Sequence, residues 1–574
     1  MNASSHAVDL VLVWHMHQPD YRDGATGEFR LPWVYLHAIK DYSDMARHLE
    51  RHPRVRAVVN FVPVLLDQLE DYGEQFSGGA VRDPLLRLLC RSEATPLSPV
   101  ERELAMQHCF HADHEKMIAS FQAYSRLHEL FRSLEPQGAG ALEYLSDRYV
   151  YDLLVWYHLA WTGETLRRES ELVTRLMTQG ERFSEAQRRE LLELIGRTVQ
   201  EIIPRFRRLA ESGQVELSTT PYHHPIGPLL IDFTAARETL PEIALPAAPV
   251  YPGGRERTSC QLRAACEAHQ RHFGARPAGL WPAEGAISTA FVRLAIEHGF
   301  SWIASSQSVL ATSLARNGAA AAPALPYRPY RLGGVPSECT FFFRDDRLSD
   351  LIGFQYAKWH GQDAATNFVS EIASIARSAA PGTRPVVSVI LDGENAWEYY
   401  PYNAYYFFES LYGHLESESA VHTHTFSGYL AKRAGESGVE GGYPEFGELA
   451  DLAAGSWIAG NLATWIGSPE KNHAWDLLCA AKQSLDLVFA SGRLDAARRA
   501  AALRQLGDCE ASDWFWWFGD YNPAQAVASF DHLFRDKLKN LYRLLDLPAP
   551  AALDLPVSHG GGTPELGGAM RRST

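Results

Sequence analysis

No stretch of this 574-residue chain stays apolar for the roughly 18 residues that a membrane-spanning helix needs. The N-terminus lacks a basic segment followed by an apolar core. VDLVLVWH (Val8 to His15) is too short for a secretory signal and reads as a first strand. Cysteines are few: seven, an odd number, with no two in the C-x-x-C spacing of zinc or redox sites. Reduced thiols in a cytoplasmic protein are the expectation. Positive charge is short as well. Lys and Arg number 54 against 69 Asp and Glu, a net charge of −15, which argues against nucleic acid or an anionic membrane as the main partner. The patterns H-E-x-x-H and H-x-x-E-H are missing, and no internal repeat is visible.

What the chain does have is short apolar strands that end in polar residues. VDLVLVWHMHQP ends at His15 and His17, RAVVNFVP at Asn60, and QVELSTTPYHHP carries Glu216 and ends at His223 and His224. AGLWPAEG ends at Glu284, SWIASS follows about a helix later, and VVSVILDGEN ends at Asp392. Helical segments lie between them, which is the pattern of a parallel α/β sheet or barrel, where catalytic groups gather at the carboxyl ends of strands. A large helical insertion is expected over about residues 65–211, and a loop over Thr312–Ser337. After about Tyr412 long periodic stretches such as EKNHAWDLLCAAKQSLDLVFA predict a helical C-terminal domain over 412–547, so 1–411 is read as the catalytic part. Pro548–Thr574, rich in Pro, Gly and Ala, is expected to be a disordered tail.

Glu284 alone could be a helix-N-terminal Glu favoured by the macrodipole, and DGEN around Asp392 could be a turn. Two carboxylates at the ends of different strands, each near a Trp, suit something further. Glycoside cleavage needs one carboxylate at an oxocarbenium-like carbon and one carboxylic acid at the leaving oxygen. His15 and His17 stand two apart on a strand and share a face; they could hold zinc with a carboxylate, or serve as polar groups at a barrel mouth. His223 and His224 are adjacent, so only one can face a site. SDWFWWFGDYN, opening with Asp513 and Trp514, is either core or a substrate-facing segment of the helical domain.

The whole set resembles glycoside hydrolase family 57 from about Val8 to Leu547. HMHQPDY, GQVELSTTPYHHPI, WPAEGAIS, LDGENAWEYYP and SDWFWWFGD look like its five motifs, in order. The resemblance implies a (β/α)7 barrel with a helical insertion and an α-helical C-terminal domain closing the active site. It implies Glu284 as nucleophile and Asp392 as general acid/base, no cofactor and no catalytic metal, and an α-glucan or maltooligosaccharide as substrate. Within the family the wording is most similar to amylopullulanase and α-amylase members, acting on α-1,4 and, in the former, α-1,6 bonds. 4-α-Glucanotransfer with the same active site is the alternative; a metal-dependent deacetylase or α-mannosidase and a non-catalytic glycan-binding protein are the other classes. On this reading His15, His17, Glu216 and one of His223 and His224 hold sugar hydroxyls or the carboxylates. Glu394 orients the site, and Trp281, Trp397 and Trp514 are platforms for sugar rings, with Asp513 beside them. Asp392 is expected to hold the proton, its pKa raised by burial and by the charge on Glu284.

Overall fold

The protein is described by a computed structural model covering residues 7–318, 325–335, 339–380, 382–435 and 442–562. Seven parallel strands close into a barrel: β1 (Val8–Met16), β2 (Ala57–Phe61), β3 (Val215–Thr219), β4 (Gly279–Leu280), β5 (Trp302–Ser306), β6 (Thr340–Arg344) and β7 (Val386–Asp392). Each pairs with the next, and β7 returns to β1 over Asp9↔Val386 to His15↔Asp392. Both faces of β1 are buried, which is why its sequence is a nearly unbroken β-branched and aliphatic run rather than an alternation. Inward, Val11 and Val13 meet Val58, Trp302, Phe342 and Ile390. Outward, Leu10, Leu12, Trp14 and Met16 face the surrounding helices.

Sequence reasoning located six of the seven strands. The one it passed over, β6, is the aromatic run TFFFR. The expected loop over Thr312–Ser337 is only partly one. Its first residues complete the helix Gln307–Arg316 and Tyr330–Leu332 form a short strand, while 319–324 and 336–338 lie outside the described residues. Past Tyr412 the sheet still gains Val421–Thr423, paired with β1, and Gly447–Leu449, paired with Tyr330–Leu332. Helices fill the stretch from Pro63 to Glu211 between β2 and β3.

The long C-terminal helices Pro469–Ala490, Ala496–Cys509 and Ala524–Leu544 pack together, and the short helix Ser512–Trp517 and the start of Ala524–Leu544 face the barrel mouth. The junction holds a buried cation: Lys537 Nζ donates to Asp20 Oδ1 (3.0 Å), the Arg22 carbonyl (2.7 Å) and Asp508 Oδ2 (3.2 Å). The expectation of a disordered tail fails for residues 548–562. Leu553 and Val557 are buried there, and Asp531 Oδ1 accepts from the backbone N–H groups of Val557 and Ser558. Residues 563–574 lie outside the described residues.

Candidate active site

Pro282 follows β4 and ends its ladder, and the chain turns sharply through Glu284. Both Glu284 (φ 58°) and Gly285 (φ 59°) adopt left-handed backbone, which a side-chain-bearing residue takes only at some cost. Gly285 needs to be glycine, because a Cβ there would sit 2.8 Å from the Trp281 ring. The turn aims the Glu284 carboxyl into the mouth. Oε2 accepts from Trp457 Nε1 at 3.0 Å, Ser512 Oγ lies 3.3 Å from Oε1, and His224 Nδ1 is 4.0 Å from it.

Asp392 is the last residue of β7 and the register partner of His15 on β1. His15 pairs in turn with Asn60 on β2, and Asn60 with Ser218 on β3, so one polar layer crosses four neighbouring strands. Asn395 Nδ2 donates to Asp392 Oδ2 at 3.0 Å. Gly393 lets β7 pass close to β1, since a Cβ there would run into Met16 Sδ.

The histidines stack. The rings of His17 and His224 lie 3.9 Å apart centre to centre, those of His15 and His224 5.1 Å. His15 Nε2 is 3.1 Å from His224 Nε2, and His17 Nε2 is 2.9 Å from Asp513 Oδ1. One nitrogen from each of His15, His17 and His224 falls within a 4.8 Å group, close enough to suggest a metal. The His17 and His224 rings lie face to face, however, and His15 Nε2 is taken up by His224 Nε2. The geometry is that of a hydrogen-bonded polar stack.

Burial raises the pKa of both carboxyls. Glu284 is pushed up to about 8, by burial first and then by Asp392, with His17 opposing. Asp392 reaches about 6, raised by burial and held down by the Asn395 bond, His17 and Arg344. The expected order is therefore reversed: Glu284, not Asp392, is the stronger proton holder, because more opposing partners face Asp392. Burial works against a charge on His17, but Asp513, Glu284 and Asp392 raise its pKa above the usual value. His15 is lowered to about 3 by burial and by His17, and His224 falls well below its usual value for the same reasons. Two neutral rings result, beside one, His17, that its carboxylate neighbours favour as a cation.

These groups line a cavity of about 450 Å³ between the barrel mouth and the C-terminal helices. Of the residues singled out in the sequence, Glu284, Asp392, His15, His17, His224 and Asp513 face it. His224, not His223, turns inward, through its own left-handed backbone (φ 58°). His223 packs toward Gln261 and Asp508. Glu216 lies lower in the barrel and is taken up by Trp302 Nε1 (2.7 Å) and Ser427 Oγ (2.6 Å). Glu394 sits behind the cleft, accepting from the His17 backbone N–H (3.1 Å) and Gln18 (3.2 Å). Trp281, Trp397 and Trp514 are not platforms: all three are buried in the core. Trp281 packs edge-on behind Trp457, while Trp397 and Trp514 donate to the Gly393 and Asp508 carbonyls.

The aromatic walls are Trp33, Trp161, Trp457, Trp516 and Trp517 instead. Sequence reasoning missed Arg344 at the end of β6, Trp457 and Ser512. The first had a signal: FFFRDD is an apolar run ending in charge, like the strands that were found. Trp457 had none, since it reaches Glu284 from a loop far along the chain.

No curated protein matches the chain in sequence. Among solved structures, a GH57 branching enzyme from Thermococcus kodakaraensis is similar at 16% identity, covering 94% of this chain and 90% of that one, with a TM-score of 0.58. The α-amylase AmyC from Thermotoga maritima is similar at 13% identity, over 94% and 93% of the two chains, with a TM-score of 0.53. A 4-α-glucanotransferase from Thermococcus litoralis gives 12%, 94% and 60%, with a TM-score of 0.51. These likenesses bear on the fold. The sequence profile of glycosyl hydrolase family 57 matches residues 11–440, three quarters of the chain, and with the carboxylate pair at the mouth of a seven-stranded barrel it makes this protein a member of that family.

Proposed function

We propose that the protein cleaves α-glucans by double displacement with retention of configuration, Glu284 attacking the anomeric carbon and Asp392 protonating the leaving oxygen. The observation that carries this is the pairing itself: two buried carboxyls with pKa values of about 8 and about 6, from different strands, facing one aromatic-walled cleft. Between those values the pair holds one proton, the stoichiometry the first step requires. By these values Glu284 holds that proton more strongly than Asp392. Positive charge developing at the anomeric carbon favours the ionised form of Glu284, which drives the proton toward Asp392 and the glycosidic oxygen. In the second step Asp392 acts as base toward the incoming hydroxyl. His17 and Asp513 face the same space and are placed to bind sugar hydroxyls; Asp513 Oδ2 is buried without a protein partner among the described residues.

A specific observation favours glucan transfer as the second reading. Trp516 and Trp517 on the helical side and Trp33 from the β1–β2 connection wall the cleft, and aromatic faces hold an acceptor sugar where water would otherwise enter. Relatives with this fold include a branching enzyme, an α-amylase and a 4-α-glucanotransferase, so both outcomes have precedent on it. Product analysis on maltoheptaose, with Glu284→Gln alongside, tests the reading. Only shorter products mean hydrolysis, and longer ones mean transfer. Cleavage by Glu284→Gln at the wild-type rate would contradict both. Pullulan then tests the α-1,6 activity expected of an amylopullulanase-type member.

A further inference from the structure

A continuous chain of hydrogen-bonding atoms runs from the Glu284 carboxyl into the barrel wall. Glu284 Oε1 is 3.3 Å from Ser512 Oγ, Ser512 Oγ is 2.8 Å from His224 Nδ1, and His224 Nε2 is 3.1 Å from His15 Nε2. His15 Nδ1 is 2.7 Å from Asn60 Oδ1, and Asn60 Nδ2 is 2.9 Å from Ser218 Oγ. Ser512, His224, His15 and Asn60 are all buried. Their places are rigidly set: the Ser512 N–H donates to the His224 carbonyl at 3.0 Å, and His15, Asn60 and Ser218 are register partners.

Two arrangements keep all neighbours bonded and the hydroxyl hydrogen within the chain: the first requires a protonated Glu284, and the second serves an ionised one, or a protonated one whose hydrogen sits on Oε2. Both imidazoles are neutral, each with one ring proton, and two Nε2 atoms facing each other cannot both donate. In the first arrangement His15 donates from Nδ1 to Asn60 Oδ1 and accepts at Nε2 from His224 Nε2–H. His224 Nδ1 is then bare and accepts from the Ser512 hydroxyl. The single hydroxyl hydrogen is used up, so Ser512 Oγ can only accept from Glu284, which must be protonated. In the second, an ionised Glu284 accepts from Ser512, so His224 donates from Nδ1 to Ser512 and His15 donates from Nε2 to His224. Asn60 then turns its amide to donate to His15 Nδ1 and accepts from the Ser218 hydroxyl.

We propose that Ser512 and His224 are positioning residues for Glu284, and that this chain reverses the direction of all its hydrogen bonds when the Glu284 carboxyl gains or loses its proton. The nucleophile thus meets a donor when ionised and an acceptor when protonated, with no charge placed in the chain. Ionisation releases one proton, from Glu284 to Asp392 or to water in the cleft. Each ring keeps one proton overall: His224 releases the one on Nε2 and takes one up at Nδ1, and His15 releases the one on Nδ1 and takes one up at Nε2, by exchange with water in the cleft that both rings line. The pH at which the reversal falls is set by the charges facing Glu284: Asp392 from β7, His17 from β1, Asp513 from the helix Ser512–Trp517, and Arg344 from β6 beside Asp392. The consequence for turnover rests on the double-displacement reading; the hydrogen count does not.

The test is NMR of the full chain with 15N-labelled histidine rings, from about pH 5 to about pH 9 across the titration of the pair. The His224 signals are assigned by their loss in His224→Gln. Wild type is expected to pass from Nε2–H to Nδ1–H at His224 without gaining charge. Glu284→Gln is expected to hold one tautomer at every pH, Ser512→Thr to retain the switch, and Ser512→Ala to lose it. Ser512→Ala also removes a charge-assisted donor to the carboxylate, so its basic limb of kcat/KM should move up by as much as about one pH unit. A fixed His224 tautomer in wild type, the same switch in Glu284→Gln, or an unmoved basic limb in Ser512→Ala would overturn the proposal. The two readings fail separately. Active Glu284→Gln with an intact wild-type switch removes the mechanism and leaves the chain; inactive Glu284→Gln with a fixed tautomer does the reverse.

Discussion

Glu284 is held in left-handed backbone, buried to 12% side-chain exposure, and placed near a second carboxylate; the last two raise the energy of its charged form. Two consequences follow for titration. Below about pH 6 both carboxyls are protonated and the nucleophile is lost; above about pH 8 both are ionised and the acid is lost. A bell-shaped kcat/KM between those limits is expected, read from initial rates on maltoheptaose. Stability carries the opposite cost. The folded pKa of Glu284 lies above the ordinary 4.5, so the native state keeps a proton that the unfolded chain gives up. This group's contribution therefore falls as pH rises from about 4.5 to about 8, and Glu284→Gln should gain on the order of 2 kcal/mol over wild type at pH 8 and little at pH 4, by denaturant titration. The same variant should lose roughly 10⁴-fold or more in kcat. Asp392→Asn should lose about 10²- to 10⁴-fold on maltoheptaose but far less on α-glucosyl fluoride, whose leaving group needs no proton.

At the scale of elements, the turn after β4 and the end of β7 do the positioning. Gly285→Ala forces a Cβ against Trp281 at positive φ, and a loss of about 1–3 kcal/mol in stability is expected together with a fall in kcat, since the ring pushed aside supports Trp457. This scale also shows what sequence could and could not convey. The strands β1, β2, β3, β4 and β7 were legible because their apolar runs stop at His, Asn, Glu or Asp, and β5 because it follows β4 by about a helix; burial on both faces of a parallel sheet leaves few other patterns. β6 obeys the same rule, but its phenylalanines resemble core filling. The tryptophans were misassigned for a related reason: a Trp beside a catalytic carboxylate in sequence can point to either side of the turn. Trp281 points inward, and Trp457 reaches Glu284 from a loop 173 residues away.

At the scale of the molecule, the cleft exists only because the C-terminal helices close over the barrel mouth. They bring Ser512 to Glu284, Asp513 to His17, and Trp516 and Trp517 to the far wall. Lys537 joins the two parts from a fully enclosed position between Asp20 and Asp508. Lys537→Met leaves Asp508 without its Lys and Asp20 with Arg22 alone, and a loss of about 3 kcal/mol is expected in thermal or denaturant unfolding, with weaker substrate binding as the mouth loosens. The proposed reaction turns on Glu284 forming a bond to sugar, and the most direct measurement is to trap it. Asp392→Ala would be incubated with 5-fluoro-α-glucosyl fluoride, which needs no acid to react and reacts slowly thereafter, and then digested and weighed by mass spectrometry. The account predicts one fluoroglucosyl unit on the peptide carrying Glu284. A label on any other residue, or release of β-configured product with no label at all, would contradict it.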